Sequence, residues 1–153
     1  MGLKEELSLS KDFSSIEHEA MLNIYFTNIC LKKHASEFFA DYDLTDVQFN
    51  LMMLIKHHGG TEGLSQARLS EMMMVNRANV TGLIDRLEKI GMVHRTAAED
   101  RRYNMIQLTA KGKKLLDKAD PVYGKEVQKA MSVLSEADLK RLIKACEKLR
   151  GNL

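Results

Sequence analysis

The stretch "LSQARLSEMMMVNRANVTGLIDRLEKIGMVHRTAAEDRRYNMIQLTAKG", Leu64 to Gly112, carries two helix starts, a tight turn and a hairpin in succession. Ser65 stands before the short segment "QARLSEMM", and Asn76 before "RANVTGLIDRLEKI", which runs to Gly91. Serine and asparagine side chains accept hydrogen bonds from first-turn N–H groups that have no partner within the helix. Val80, Leu83, Ile84, Leu87 and Ile90 repeat with the helical period, while Arg77, Asn79, Thr81, Arg86 and Lys89 form the polar side. "MVHRT" and "YNMIQL" are β-capable runs separated by the turn-like "AAEDRR", with Ile106 and Leu108 on one face. Thr109 caps a further helix that reaches Pro121, where a kink or break is expected.

Working outward, "LTDVQF" holds a capping box, with Thr45 as N-cap and Gln48 three residues on. That helix extends to His58, and Gly59-Gly60 supplies a left-handed terminator. Phe13 to Phe39 is apolar around much of its girth, so this helix should be covered on several sides, in part by a second subunit. Ser135 with Asp138 starts a last helix whose stripe is Leu139, Leu142, Ile143, Cys146 and Leu149. The predicted fold is mainly α: helix, helix, short helix, helix, two-strand hairpin, helix, helix. Its centre is the pattern of a winged helix-turn-helix.

Composition narrows the function classes. With 44% hydrophobic residues, a packed core is expected. The longest uncharged stretch, Ala20 to Leu31, is interrupted by Asn23, Thr27 and Asn28 and cannot span a bilayer. Acids near the N-terminus argue against a signal peptide, and two cysteines make no disulfide framework, so a cytoplasmic location is expected. Net charge is only +2, but Arg68, Arg77, Arg86, Arg95, Arg101 and Arg102 cluster in the central third. Arginine is suited to bidentate contacts with phosphates and guanine edges.

In a helix-turn-helix the second helix lies in the major groove, with its N-terminal residues at the bases. Here those are Asn76, Arg77, Ala78, Asn79 and Thr81. Arginine can fork onto guanine, asparagine onto adenine, and a threonine methyl can touch thymine. Ala78 and Gly82 are small enough for close backbone approach, and Arg86 extends the polar face. The hairpin brings Arg95 and a tip with Asp100, Arg101 and Arg102, suited to the electronegative minor groove. Asp100 could instead pair with Arg86 or Arg101 and fix the tip. An ordinary solvated turn would explain the charges but not their place after a helix-turn-helix.

At these residues the sequence resembles the MarR family of bacterial transcription regulators. The resemblance rests on "NRANVTGLIDRLEKIGMV", on Asp100-Arg101-Arg102 as the wing signature, and on Leu108-Thr109 with Gly112. It extends over about positions 15–150, although Arg95 to Asp100 is shorter than the family's usual wing and lacks its proline. It implies a single MarR-like domain over 1–153, a DNA-binding lobe at 45–112 and dimerisation helices at 13–40 and 113–150. It further implies a repressor that binds a near-palindromic operator as a homodimer, with Arg102 in the minor groove. A small-molecule effector would release the DNA. Its expected walls are Tyr25, Ile29, Phe49 and Met53.

Other features weigh less. Cys30 and His34 are four apart and could form a thiol sensor, but Cys30 sits in the most apolar segment, where packing is the plainer reading. His57 and His58 point about 100° apart on a helix and cannot jointly chelate from it, so no metal site is expected. "MMM", Met72 to Met74, reads as flexible core filling. No phosphate loop or catalytic triad order appears, so neither an enzyme nor a cofactor is expected. The alternatives are a thiol- or metal-responsive sensor on the same scaffold and a protein-interaction module that has lost DNA binding.

Overall fold

The computed structural model describes residues 2–97 and 104–153. Their elements run α1 (Leu3–Glu6), α2 (Ile16–Ala40), α3 (Asp46–His58), β1 (Leu64–Ser65), α4 (Gln66–Met73), α5 (Arg77–Lys89), β2 (Val93–Ala97), β3 (Asn104–Leu108), α6 (Ala110–Met131) and α7 (Glu136–Arg150). The chain divides into two compact units, Met1–Lys113 and Lys114–Leu153.

In the first unit the helix starts follow from the capping residues. Thr45 accepts from the Gln48 N–H at 3.2 Å, and Gln48 Oε1 accepts from the Thr45 N–H at 2.8 Å. Ser65 and Asn76 cap α4 and α5 through the N–H groups of Arg68 and Asn79. α3 closes on Gly59 in ordinary right-handed geometry, and Gly60 takes the left-handed conformation. Leu51, Met52, Leu69, Val80, Ile84, Leu87 and Ile106 are fully buried, so the core lies where α3, α4 and α5 meet the sheet.

The sheet has a third strand that the hydrophobic pattern does not announce. The two-residue β1 pairs with β3, Leu64 opposite Ile106 and Ser65 opposite Met105, giving the order β1-β3-β2. β2 pairs with β3 from Val93–Leu108 to Ala97–Asn104. As expected, Ile106 and Leu108 both turn inward.

Thr109 and Gly112 join the hairpin to α6. The Thr109 hydroxyl donates to the Gly91 carbonyl at 2.6 Å and accepts from the Gly112 N–H at 3.0 Å. The Thr109 N–H donates to the Met92 carbonyl at 3.0 Å. Gly112 packs so closely on that strand that a Cβ there would lie 2.2 Å from the Met92 oxygen.

In the second unit α7 begins at Ser135, whose hydroxyl accepts from the Asp138 N–H and donates to its carboxylate. α6 continues through Pro121 to Met131, so the expected break does not occur. Proline removes one backbone donor there, but the helix is long on both sides of it. α7 has no buried residue: Leu142, Ile143 and Leu149 are exposed, and Cys146, expected in the core, is half-buried. Among the described residues no helix is long and apolar enough to cross a membrane.

Gly112→Ala is therefore expected to lower stability by about 1–3 kcal/mol, because the new methyl meets backbone rather than a movable side chain. Urea unfolding measures this, and a midpoint equal to the parent's would show that the α6–β2 contact yields without cost.

Candidate nucleic-acid interface

The two helices α4 and α5 are joined by a turn with one left-handed residue. Met74 takes φ 53° and is 83% exposed, a conformation that costs a non-glycine residue about 1–2 kcal/mol. Ser70 holds it in place. The buried Ser70 hydroxyl donates to the Val75 carbonyl at 2.5 Å, and the Ser70 carbonyl accepts from the Val75 N–H at 3.2 Å. The chain thus leaves the turn directly into the Asn76 cap.

On α5, Asn76, Arg77, Ala78, Asn79 and Arg86 are exposed, while Thr81 and Gly82 are half-buried. The face singled out by sequence is therefore continuous over the first turn, but its side chains are not equally free. Asn76 Oδ1 accepts from the Asn79 N–H at 2.9 Å, so this residue caps its helix. The Thr81 hydroxyl donates to the Arg77 carbonyl at 2.8 Å and is also bonded to Gln66 Nε2. Gln66 Nε2 donates to the Arg77 carbonyl as well, at 3.2 Å. Thr81 thus spends its hydroxyl inside the motif, and Gln66, which the sequence reading passed over, clamps the first turn of α5 to α4. Its position at the start of α4, directly after the Ser65 cap, is the signal that could have drawn attention to it.

Arg95 is placed differently from the expectation that it serves the wing's DNA contacts. Its guanidinium forms ion pairs with Asp85 and Glu88 of α5, and its N–H donates to Glu88 Oε1 at 3.1 Å. The side chain is 25% exposed. The hydrogen bond from Asp85 first, and the charges of both carboxylates, raise the guanidinium pKa, against the opposing effect of burial. Arg95 is a strut tying β2 to α5. Asp100, Arg101 and Arg102, the expected wing tip, lie outside the described residues.

The four expected effector walls do not behave as a set. Phe49 is buried with its ring 4.5 Å from that of Phe39, and Tyr25 and Ile29 are exposed on α2. Met53 lines a cavity between α3 and α4 to which the other three do not belong. Cys30, expected to pack, is exposed, because this face of α2 is not covered within the chain. Among the described residues no group of three or more His, Cys, Asp or Glu could hold a metal ion.

Comparison with known proteins agrees with this geometry. Residues 44–103 match the model of the MarR family. The chain is 40% identical over 74 residues to the uncharacterized HTH-type transcriptional regulator YfiV of Bacillus subtilis, covering 48% of this chain and 44% of YfiV. It is 26% identical over 112 residues to the HTH-type transcriptional regulator PecS of Dickeya dadantii, covering 72% of this chain and 68% of PecS. The match with YfiV thus spans less than half of that protein's length. Among solved structures, the Staphylococcus aureus MepR–DNA complex superposes with a TM-score of 0.82 at 21% identity, covering 93% of this chain and 100% of that one. AbsC from Streptomyces coelicolor, a MarR family transcriptional regulator, gives 0.80 at 22% identity over 92% and 99%. At those identities the likeness is one of fold.

Removing the strut should be measurable. Arg95→Ala is expected to cost about 1–2 kcal/mol, above the range of an exposed ion pair because the group is mostly covered and binds two carboxylates. Asp85→Asn and Glu88→Gln should each cost less. Equal stability of all three variants in urea would reduce the cluster to a surface ornament.

Proposed function

We propose, from the premise that the chain belongs to the MarR family, that it binds double-stranded DNA through α5 as a homodimeric transcription regulator. The observation that carries this reading is the exposed first turn of α5, Arg77 to Asn79, held in place by the Asn76 cap and the Gln66 clamp. A rigid helix start carrying Arg and Asn side chains is what direct readout of a major groove requires. The likeness of fold to MepR, solved as a DNA complex, points the same way.

Residue roles follow from what each side chain has left to offer. Arg77 and Asn79 read base edges, and Arg86 contacts the backbone further along α5. Asn76 and Thr81 serve chiefly to set the helix, their oxygens being engaged within the motif. Arg101 and Arg102 act at the wing in the minor groove, with Asp100 fixing them.

The homodimer reading draws on uncovered apolar surface. On α2, Ile16 is 77% exposed and Tyr25 61%, and Met21, Ile24, Ile29 and Leu31 are also open. On α7 the stripe through Leu142, Ile143 and Leu149 is open too. Fully burying each large apolar side chain contributes about 1.5–3 kcal/mol, so a second copy covering these faces gains substantially. Two copies would place two α5 helices about 34 Å apart on a near-palindromic site. In this reading the regulator is a repressor released by a small molecule.

The deciding experiment is selection from a randomised duplex library, followed by titration of the selected DNA at two salt concentrations. The expected result is a palindrome with half-sites one turn apart and affinity that falls steeply with salt. Absence of binding at either salt would overturn the DNA reading. On the selected site, Arg77→Ala or Asn79→Ala should each relax preference at particular base pairs by about 1–3 kcal/mol. Arg102→Ala should weaken all sequences alike and flatten the salt slope. Gly82→Ala separates folding from recognition: its methyl finds open space, with Arg86 Nη2 the nearest atom at 3.9 Å. It should stabilise the helix by about 0.5–1 kcal/mol while weakening DNA binding, if the backbone approaches the groove at Gly82.

A further inference from the structure

The cavity between α3 and α4 has a volume of about 430 Å³, within the range of small-molecule sites. Its walls are apolar and half-buried: Met53 and Leu54 from α3, Met72 and Met73 from α4, and Val75 from the turn before α5. Its polar edge is confined to α3, where Asn50, His57 and His58 face the same space. Mostly apolar walls with a few polar groups at one end are the usual construction of a ligand pocket.

We propose that this cavity binds an uncharged aromatic molecule carrying a hydrogen-bond donor, and that its occupancy shifts the start of α5. The ring follows from the walls. Thioethers make favourable contacts with aromatic rings and adapt their shape to them, and three of them line this space. The absence of charge follows from the helix end. The polar edge lies at the last turn of α3, where carbonyl oxygens run past the end of the helical ladder and carry partial negative charge. A phenol or aromatic amine can donate toward that end, toward Asn50 or toward an imidazole nitrogen. A carboxylate is repelled by the carbonyls.

The link to α5 is short. Met73 and Val75 line the cavity and flank Met74, the left-handed residue. That strained conformation is kept by the hydrogen bonds between Ser70 and Val75. A ring wedged against Met73 and Val75 acts on both neighbours of the strained residue, and Asn76 follows immediately. The site lies within the helix-turn-helix and shares only Met53 with the walls expected from sequence. The regulatory consequence rests on the DNA-binding reading, whereas the binding itself and the shift do not.

The test titrates the full chain, without DNA, with 2-naphthol and separately with 2-naphthoate, following backbone amides by NMR. The expected result is saturable binding of 2-naphthol, with shifts at cavity residues and at Asn76 to Asn79. Binding of 2-naphthoate should be about tenfold weaker or more, a difference of about 1.4 kcal/mol. Met72→Gln, at a half-exposed position that tolerates a polar end, should weaken 2-naphthol by a similar factor. Met72→Leu, which keeps the wall apolar, should retain most of the affinity. No saturable binding, binding indifferent to Met72→Gln, or tighter binding of the naphthoate would each overturn the site. Binding that leaves the Asn76 to Asn79 amides in place would overturn its coupling to α5. Since no DNA is present, these failures are separate from a failure of the DNA-binding reading, which the salt titration decides.

Discussion

The Met92 carbonyl is the point at which helix α5, the hairpin and helix α6 are fastened together. It accepts from the Thr109 N–H, its strand packs on Gly112 at a distance that excludes any side chain, and the neighbouring Gly91 carbonyl accepts the Thr109 hydroxyl. One threonine therefore fixes where α5 ends, where the hairpin closes and where α6 begins. The register of β2 on β3, Val93 opposite Leu108, is the continuation of that junction. A shift of one residue would turn Ile106 and Leu108 from the core toward solvent. The position of α5 on the surface of the lobe thus depends on a small polar knot at its far end as much as on its buried stripe.

At its near end α5 depends on a second group of polar contacts, and these divide the residues of its exposed face. Asn76, Thr81 and Gln66 form hydrogen bonds within the motif, which fixes the direction of the first turn. Arg77 and Asn79 stand on that turn with exposed side chains. A side chain fixed by its own fold loses little further freedom on binding, so the first group can lower the entropic cost of contacts made by the second. The Arg95 strut applies the same logic to the wing: two carboxylates of α5 hold the strand that leads to the tip.

Much of this arrangement was legible in the sequence because capping is local chemistry. Thr45, Ser65, Asn76, Thr109 and Ser135 each sit within three residues of the N–H they accept, and each does so in the structure. Features that join distant residues were not legible. β1 is two residues long, too short for a period, and exists only because β3 lies beside it. Arg95 looked like one more cation of an arginine-rich segment. Its partners are seven and ten residues back on another element, so only the fold reveals the strut. Met53 and Met72 to Met73 are some twenty positions apart, and no pattern in either helix shows that they wall one cavity. Pro121 misled in the opposite direction: a local rule predicted disruption, and a long helix absorbs the loss of one bond.

The distribution of apolar residues separates the lobe from its flanking helices by physical role. In α5 the stripe through Val80, Ile84 and Leu87 is fully buried within one chain, so the lobe needs no other molecule to satisfy it. In α2, by contrast, Ala35 and Phe39 near the C-terminal end are buried, while the large apolar residues from Ile16 to Leu31 remain open. One helix therefore belongs to the lobe's core at one end and offers an unsatisfied surface at the other. Surface of this kind is rare on proteins that act as monomers. Under the proposed dimer, burial at the open end would fix α2 and so constrain its buried end, where the Phe39 ring rests on Phe49 of α3. The contacts that hold two copies together would then also set the orientation of α3 and, through the shared core, of the helix proposed to read DNA. Recognition by such a chain is a property of the pair, since the element that orients each lobe is complete only when a second copy covers it.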